Sequence, residues 1–330
     1  MTRRQFQLLV AAWCAGGGSL TLAAGHRPRR AQPLPNVPMV TAGGQQMWTD
    51  VRYLHDWRIQ QHALTGHHRL INPDDVRRAW GSLEACENQL AEVAQERKFT
   101  PPTGTAVILL HGLFRTRDCM TSLGRHIAAH TDWHVLNLSY ASTRGSVADH
   151  ASALQQIVER LTEVERIHFV AHSLGNLVIR HWLHDLTDPQ TNELSERRLG
   201  RMVMLGPPNH RPALAQALVP IDAHQIIAGS AGDQLNRGWK ELAPKLATPP
   251  CDFGIIAGGL LNAGGYNPLI PGDDDMVVGV EETRLAGARD FRLLPVIHAD
   301  MMQVPEVQRL SLQFLKTGWF QSELKAEPIG

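Results

Sequence analysis

One serine in this chain stands where chemistry is easiest to place. Ser173 lies in the stretch Ile167-His168-Phe169-Val170-Ala171-His172-Ser173-Leu174-Gly175-Asn176. There an apolar run passes through two small residues, Ala171 and Gly175, into a helix-like pattern carried by Leu177, Val178 and Leu183. A strand that turns at once into a helix holds its corner residue in strained dihedrals, and larger flanking side chains would clash. The turn also aims the free N–H groups of the new helix at developing negative charge. A serine so placed suits attack on an acyl carbon through a covalent acyl-serine. Ala171 stands where a glycine is usual, and a methyl group is tolerable there. His172 directly precedes the serine, but neighbours on such a turn point apart, so it reads as a packing or hydrogen-bonding residue.

The elements that must position this serine show in the hydropathy pattern. Apolar runs at 105–110, 134–140, 167–171, 201–205, 253–257 and 291–296 read as strands buried on both faces. A helix is expected over 146–164, with Val147, Ala151, Leu154, Val158 and Leu161 on one stripe, and another follows Ser173. This alternation predicts an α/β fold, a mostly parallel sheet with helices on both faces. Ahead of it, Trp57–Gln60 and His68–Ile71 flank Thr65-Gly66 as a β-hairpin. Asn72-Pro73-Asp74 then opens an amphipathic helix carrying Val76, Trp80, Leu83, Leu90 and Val93, which Pro101-Pro102 ends. The division is a catalytic domain at 104–320, a hairpin-and-helix extension at 47–103, and a Pro-, Gly- and Arg-rich flexible linker at 26–46.

Residues 1–25 have the layout of an export signal. A charged start with the Arg3-Arg4 pair leads into an apolar stretch and an Ala-x-Ala-like end. The arginine pair resembles the twin-arginine type, which implies an exported protein, periplasmic or extracellular. An uncleaved membrane anchor is the alternative, weakened by Gly16, Gly17, Gly18 and Ser19. The chain has 330 residues, 43% of them hydrophobic and 19% charged, enough for a sizeable core. Its formal net charge is zero and no basic stripe is present, which argues against nucleic acid as a partner. The four cysteines lie far apart, without metal-type spacing or a dense disulfide framework.

Ala-His-Ser-Leu-Gly-Asn at 171–176, with Leu-Leu-His-Gly-Leu at 109–113 and Leu-Gly-Pro-Pro-Asn-His at 205–210, resembles the bacterial lipase and esterase branch of the α/β-hydrolases, including PGAP-type hydrolases. The resemblance covers about residues 105–317. It implies an α/β-hydrolase fold with Ser173 as nucleophile and with backbone N–H donors at Leu113 and Leu174 forming an oxyanion hole. Gly112 would let the backbone approach, and His111 would order the loop. It also implies the chain order serine, acid, histidine. Matching Val278 and Val280 to the family pattern makes Asp275 the acid, although Met276 replaces the usual glycine; Asp273 and Asp274 remain alternatives. Three adjacent carboxylates could also hold calcium, or the two spare ones could belong to a solvated loop. Of 17 histidines only His298 follows the acid, on a loop after the last strand, where a general base belongs.

The expected activity is cleavage of a carboxylic or lipid ester, with no cofactor and no metal among the site residues. Association at a membrane surface is left open. An acyltransferase with the same triad and a non-catalytic binding module are the rival classes. The segment 206–250 reads either as a lid or acyl-pocket wall, or as ordinary core. The extension either caps the site or covers a sheet edge.

Overall fold

A computed structural model describes residues 39–40, 45–217 and 223–330. The expected export segment and most of the expected linker lie outside these residues. Met39–Val40, inside that expected linker, forms the first strand, β1. β2 (Trp48–Leu54), β3 (Trp57–His62), β4 (His68–Ile71) and β5 (Val76–Gly81) follow it. They build an antiparallel sheet in the order β1-β5-β4-β3-β2. The two-residue turn between β2 and β3 uses His55 and Asp56 at φ 48° and 63°, the left-handed pair that matches hairpin twist.

The helix expected from Asn72 is displaced. Asn72 Oδ1 accepts the N–H groups of Asp74 (3.2 Å) and Val76 (2.8 Å), and Asp75 turns through φ 59°. That side-chain-closed turn starts a hairpin instead, and Val76–Gly81 pairs with β4. The helix α1 (Leu83–Glu96) begins only where Ser82 Oγ caps the Ala85 N–H at 3.1 Å. Val51, Trp57, Ile59, Leu70, Ala79, Cys86 and Val93 give this extension a core of its own.

All six expected apolar runs become strands of a second sheet: β6 (Gly104–Leu110), β7 (His134–Leu138), β8 (Val164–His172), β9 (Leu199–Leu205), β10 (Phe253–Gly258) and β11 (Asp290–Leu294). Every pairing is parallel, in the order β11-β10-β9-β8-β6-β7. Alternate side chains of these strands enter two cores. On one face Ile108, Phe169, Met204 and Ile255 pack with α3 (Val147–Val158) and α4 (Leu174–Asp185). On the other, Val107, Leu109, Val170 and Ile256 pack with α2 (Thr121–Ala129) and α5 (Pro305–Thr317). The fold is therefore α/β, with helices on both faces of a parallel sheet. Helix α3 stops at Val158, earlier than the sequence period suggests, because Val164 already belongs to β8.

The chain runs outward from β6 to β7 and then crosses back to β8, so the strand order reverses between β6 and β8. In open parallel sheets, ligands bind at the carboxyl ends of strands beside such a reversal. The extension docks at the far edge. Asp50 donates its N–H to Ser139 O (2.9 Å), just past edge strand β7, and its carboxylate accepts from Ser139 N–H (2.7 Å) and Gln60 Nε2 (2.6 Å). Of the two readings of the extension, coverage of a sheet edge matches this contact. Among the described residues no helix is long and apolar enough to cross a membrane.

His111, His150 and His168 are buried in this framework, and burial pushes each down to about 4. Unfolded rings take up protons below about 6.5, whereas these folded ones stay neutral until about 4. Unfolding in that window binds protons, so stability falls as pH drops through it, by up to about 1.4 kcal/mol per pH unit for each ring. The ring-proton NMR shifts of these three histidines should stay unchanged between pH 7 and pH 5.5; a ring that titrates near 6.5 would contradict its neutral burial.

Candidate active site

β8 ends at His172 and α4 begins at Leu174, which leaves Ser173 alone at the corner with φ 53° and ψ −123°. Such dihedrals cost a non-glycine residue of order 1–3 kcal/mol and persist only where the surroundings over-determine them. The surroundings here are glycines pressed against backbone. A Cβ added to Gly175 would lie 2.8 Å from the carbonyl oxygens of Leu110 and His111. One added to Gly112 would lie 2.9 Å from both Ser173 Cβ and His172 Nδ1. The loop after β6 thus sits directly on the serine turn. Ser173 N–H donates to Leu205 O at 2.9 Å, and Ser173 O accepts from the backbone N–H and Nδ2 of Asn176, both at 3.0 Å.

Leu174 is the first residue of α4, so its N–H has no acceptor within the helix. Leu113 lies on the loop that follows β6, one residue past Gly112. Neither N–H is given to an acceptor among the described residues. His111 anchors the loop. Its Nδ1–H donates to Gly112 O (2.9 Å), and its Nε2 accepts from Tyr140 N–H (3.3 Å). The ring stacks on Tyr140, with centroids 4.2 Å apart, and the Tyr140 hydroxyl donates to His111 O at 2.5 Å. The same loop is tied on its outer side. Gln46 Nε2 donates to Arg115 O (2.5 Å), while the Arg115 guanidinium donates to Ala299 O (3.1 Å).

His298 comes from the loop after β11. Its Nδ1–H donates to Asp275 Oδ2 at 2.6 Å, and its backbone N–H donates to Asp275 O at 2.8 Å. Asp275 is fully buried, and its Oδ1 accepts the N–H groups of Val277 (3.0 Å) and Val278 (2.7 Å). Both carboxylate oxygens are therefore satisfied, one by the loop and one by the imidazole. The neighbouring aspartates turn elsewhere. Asp273 accepts from Leu260 N–H (2.7 Å) and Asp274 N–H (3.0 Å). Asp274 accepts from Asn267 N–H and Met276 N–H, and burial pushes its carboxyl above the usual range. Met276 adopts φ 85°, a left-handed conformation that favours glycine.

Gly206 brings the pieces together. It follows β9 at φ 50°, and a Cβ there would lie 3.0 Å from His298 Nδ1 and 3.1 Å from Asp275 Oδ2. Leu205, the residue before it, accepts the Ser173 N–H. The Asp275–His298 pair and the serine turn therefore flank one short piece of backbone. No hydrogen bond joins Ser173 Oγ to His298 Nε2 among the described residues; bonds of this kind commonly tighten only when substrate arrives. Sequence reasoning singled out Ser173, Asp275, His298, Leu113 and Leu174; it quoted Gly206 within the motif at 205–210 without giving it a role, and passed over Tyr140, Gln46 and Arg115.

Phe114, Leu260, Leu261, Met276 and Val277 are exposed apolar residues on the loops that follow β6 and β10, and Phe114, Leu261 and Met276 have positive φ.

No protein-family model and no curated protein sequence matches the chain. Solved structures do. The Bacillus licheniformis lipase BlEst2 matches at 17% identity and TM-score 0.46, over 66% of this chain and 92% of that one. The Clostridium botulinum protein EstA matches at 13% identity and TM-score 0.44, over 69% and 89%. The Legionella pneumophila phospholipase PlaB, in complex with thio-NAD, matches at 18% identity and TM-score 0.45; 66% of this chain covers 56% of that one. The chemistry of this site rests on its own residues.

Replacing Gly206 with Ala should force the Asp275–His298 contact apart, since the new methyl meets both partners and the left-handed φ adds strain of about 1 kcal/mol or more. The downfield imidazole N–H proton in the NMR spectrum should shift or vanish. An unchanged resonance in a folded Gly206→Ala protein would refute the packing described.

Proposed function

We propose that the protein is a serine hydrolase that cleaves carboxylic esters with Ser173 as nucleophile, His298 as general base and Asp275 as the acid. The observation that carries this reading is the buried Asp275–His298 hydrogen bond of 2.6 Å, packed on Gly206 beside the strained serine turn. Asp275 keeps the His298 proton on Nδ1, leaving Nε2 as the lone-pair acceptor. Ser173 Oγ attacks the ester carbonyl as its proton passes to His298 Nε2. The N–H groups of Leu113 and Leu174 receive the oxyanion, where two preset donors stabilise the developing charge. The tetrahedral intermediate collapses as His298 returns the proton to the leaving alcohol. Water then repeats the sequence on the acyl-serine and releases the acid.

The exposed apolar residues on the loops after β6 and β10 support a substrate with a hydrocarbon acyl group, because burying each methylene is worth about 0.8 kcal/mol. Phe114 sits one residue past Leu113, and Met276 and Val277 directly follow Asp275, so such a chain would lie along the reacting carbonyl.

A fluorophosphonate probe should label the wild-type protein and fail to label Ser173→Ala. Hydrolysis by Ser173→Ala should fall by about 10⁶-fold and that by Asp275→Asn by about 10⁴-fold, with Asp273→Asn and Asp274→Asn far less affected. Across a panel of p-nitrophenyl esters, kcat/KM should rise from acetate toward longer chains. Undiminished labelling of Ser173→Ala, or full activity in His298→Ala, would overturn the assignment.

A further inference from the structure

We propose that His172 is a positioning residue for His298: its neutral imidazole joins the nucleophile turn to the base loop and sets the approach of His298 to Ser173. This rests on the reading of Ser173 and His298 as nucleophile and base. His172 is fully enclosed between the loops, and its Nε2 stands 3.0 Å from His298 O. A carbonyl can only accept, so Nε2 carries the proton and donates it. The two imidazoles also touch, with ring centroids 4.4 Å apart. The opposite edge of the His172 ring faces Gly112, where an added Cβ would lie 2.9 Å from Nδ1. One side chain is thus clamped between the oxyanion loop and the base loop, and it is covalently next to Ser173.

The other contact of His298 toward the serine turn is the packing of its ring on Gly206, and its remaining hydrogen bonds lead elsewhere. Its backbone N–H and its Nδ1–H both go to Asp275. These two fix the base relative to the acid loop. The His172 bond fixes the His298 carbonyl relative to the end of β8, the point from which Ser173 departs. Without it, only packing on Gly206, and no hydrogen bond of His298 itself, would hold the base against the serine turn.

The choice of histidine fits this task. Its Nδ1 is buried with no hydrogen-bond partner among the described residues, a state that costs free energy and that an ordinary packing residue would avoid. Burial, with His298 and Arg115 nearby, holds the ring well below the usual histidine range, so it stays neutral when His298 takes up a proton during turnover. A charged neighbour at this distance would oppose that step.

The test compares His172→Leu, His172→Asn and His172→Gln. Glutamine presents an N–H at about the reach of Nε2, whereas asparagine falls short and leucine has no donor. Fluorophosphonate labelling separates amount from speed, since the final stoichiometry counts folded sites and the rate constant reports activation of the serine. Leu and Asn should react to full stoichiometry but about 10- to 100-fold more slowly, the scale expected for a small misplacement of reacting groups. Ester kcat should fall with KM little changed, and Gln should recover most of the rate. A wild-type rate in His172→Leu, or a Gln variant as slow as Asn, would overturn the proposal. If Leu does not fold, the Gln–Asn pair still decides. Failure of the wild-type protein to take label would instead sink the nucleophile reading itself. The His298 Nδ1–H proton then tests the contact without chemistry: it should shift in His172→Asn and return in His172→Gln, and an unmoved resonance in Asn would refute the contact.

Discussion

Everything at the carboxyl end of the parallel sheet depends on backbones that approach too closely for side chains. At Gly112, Gly175 and Gly206 there is no room for a Cβ, because each faces a carbonyl oxygen, an imidazole or the serine itself within about 3 Å. Interiors pack near crystal density and respond to a single extra carbon by shifting their neighbours. Here the neighbours are the groups whose mutual distances define the chemistry. The three glycines come from the end of β6, the start of α4 and the end of β9 respectively. They draw three separate loops into one junction, and the strained φ of Ser173 is what such a junction imposes on the residue at its centre.

The sheet was readable because a strand covered on both faces needs a run that is mostly apolar; the four inner strands come close to that, while the edge strands β7 and β11 admit Asn137 and Arg292. The alternation of α and β elements then fixed the layering. Ser173 was readable for a related reason, since its turn demands small residues at set spacing. His298 and Asp275 were reached through chain order and family resemblance, not through any local pattern. The His298 stretch has no spacing that distinguishes it from other histidines in the chain. The choice among three adjacent aspartates depends on which carboxylate faces an imidazole 23 residues away, a matter of loop path that periodicity does not encode. The loop supports were less visible still. Tyr140 and Gln46 each reach a backbone carbonyl of the loop with one side-chain donor, and many residue types could do that at many positions.

The misplaced helix start shows where local reading gives way. Val76 and Trp80 fit a helical stripe and a strand equally well over so short a span. Asn72 decided between them by closing a turn with its side chain. That is chemistry of one residue and not of a period, so a pattern summed over a window averages it away. The same point explains His172. As a residue type beside a nucleophile it reads as a packing or hydrogen-bonding residue, and only the path of the His298 loop reveals which carbonyl its ring nitrogen meets.

The extension has a consequence for how this protein can be divided. Composition places a boundary near residue 104, and the segment before it has its own sheet, helix and core. Yet Gln46 holds the carbonyl of Arg115, and Arg115 holds that of Ala299, next to His298. Asp50 closes the edge strand through Ser139 on the same side. A cut at the compositional boundary would remove a brace from the loop carrying Leu113 and so cross a mechanical unit. The extension and the loop after β6 are thus joined by hydrogen bonds, and the support of that loop includes residues that precede the compositional boundary.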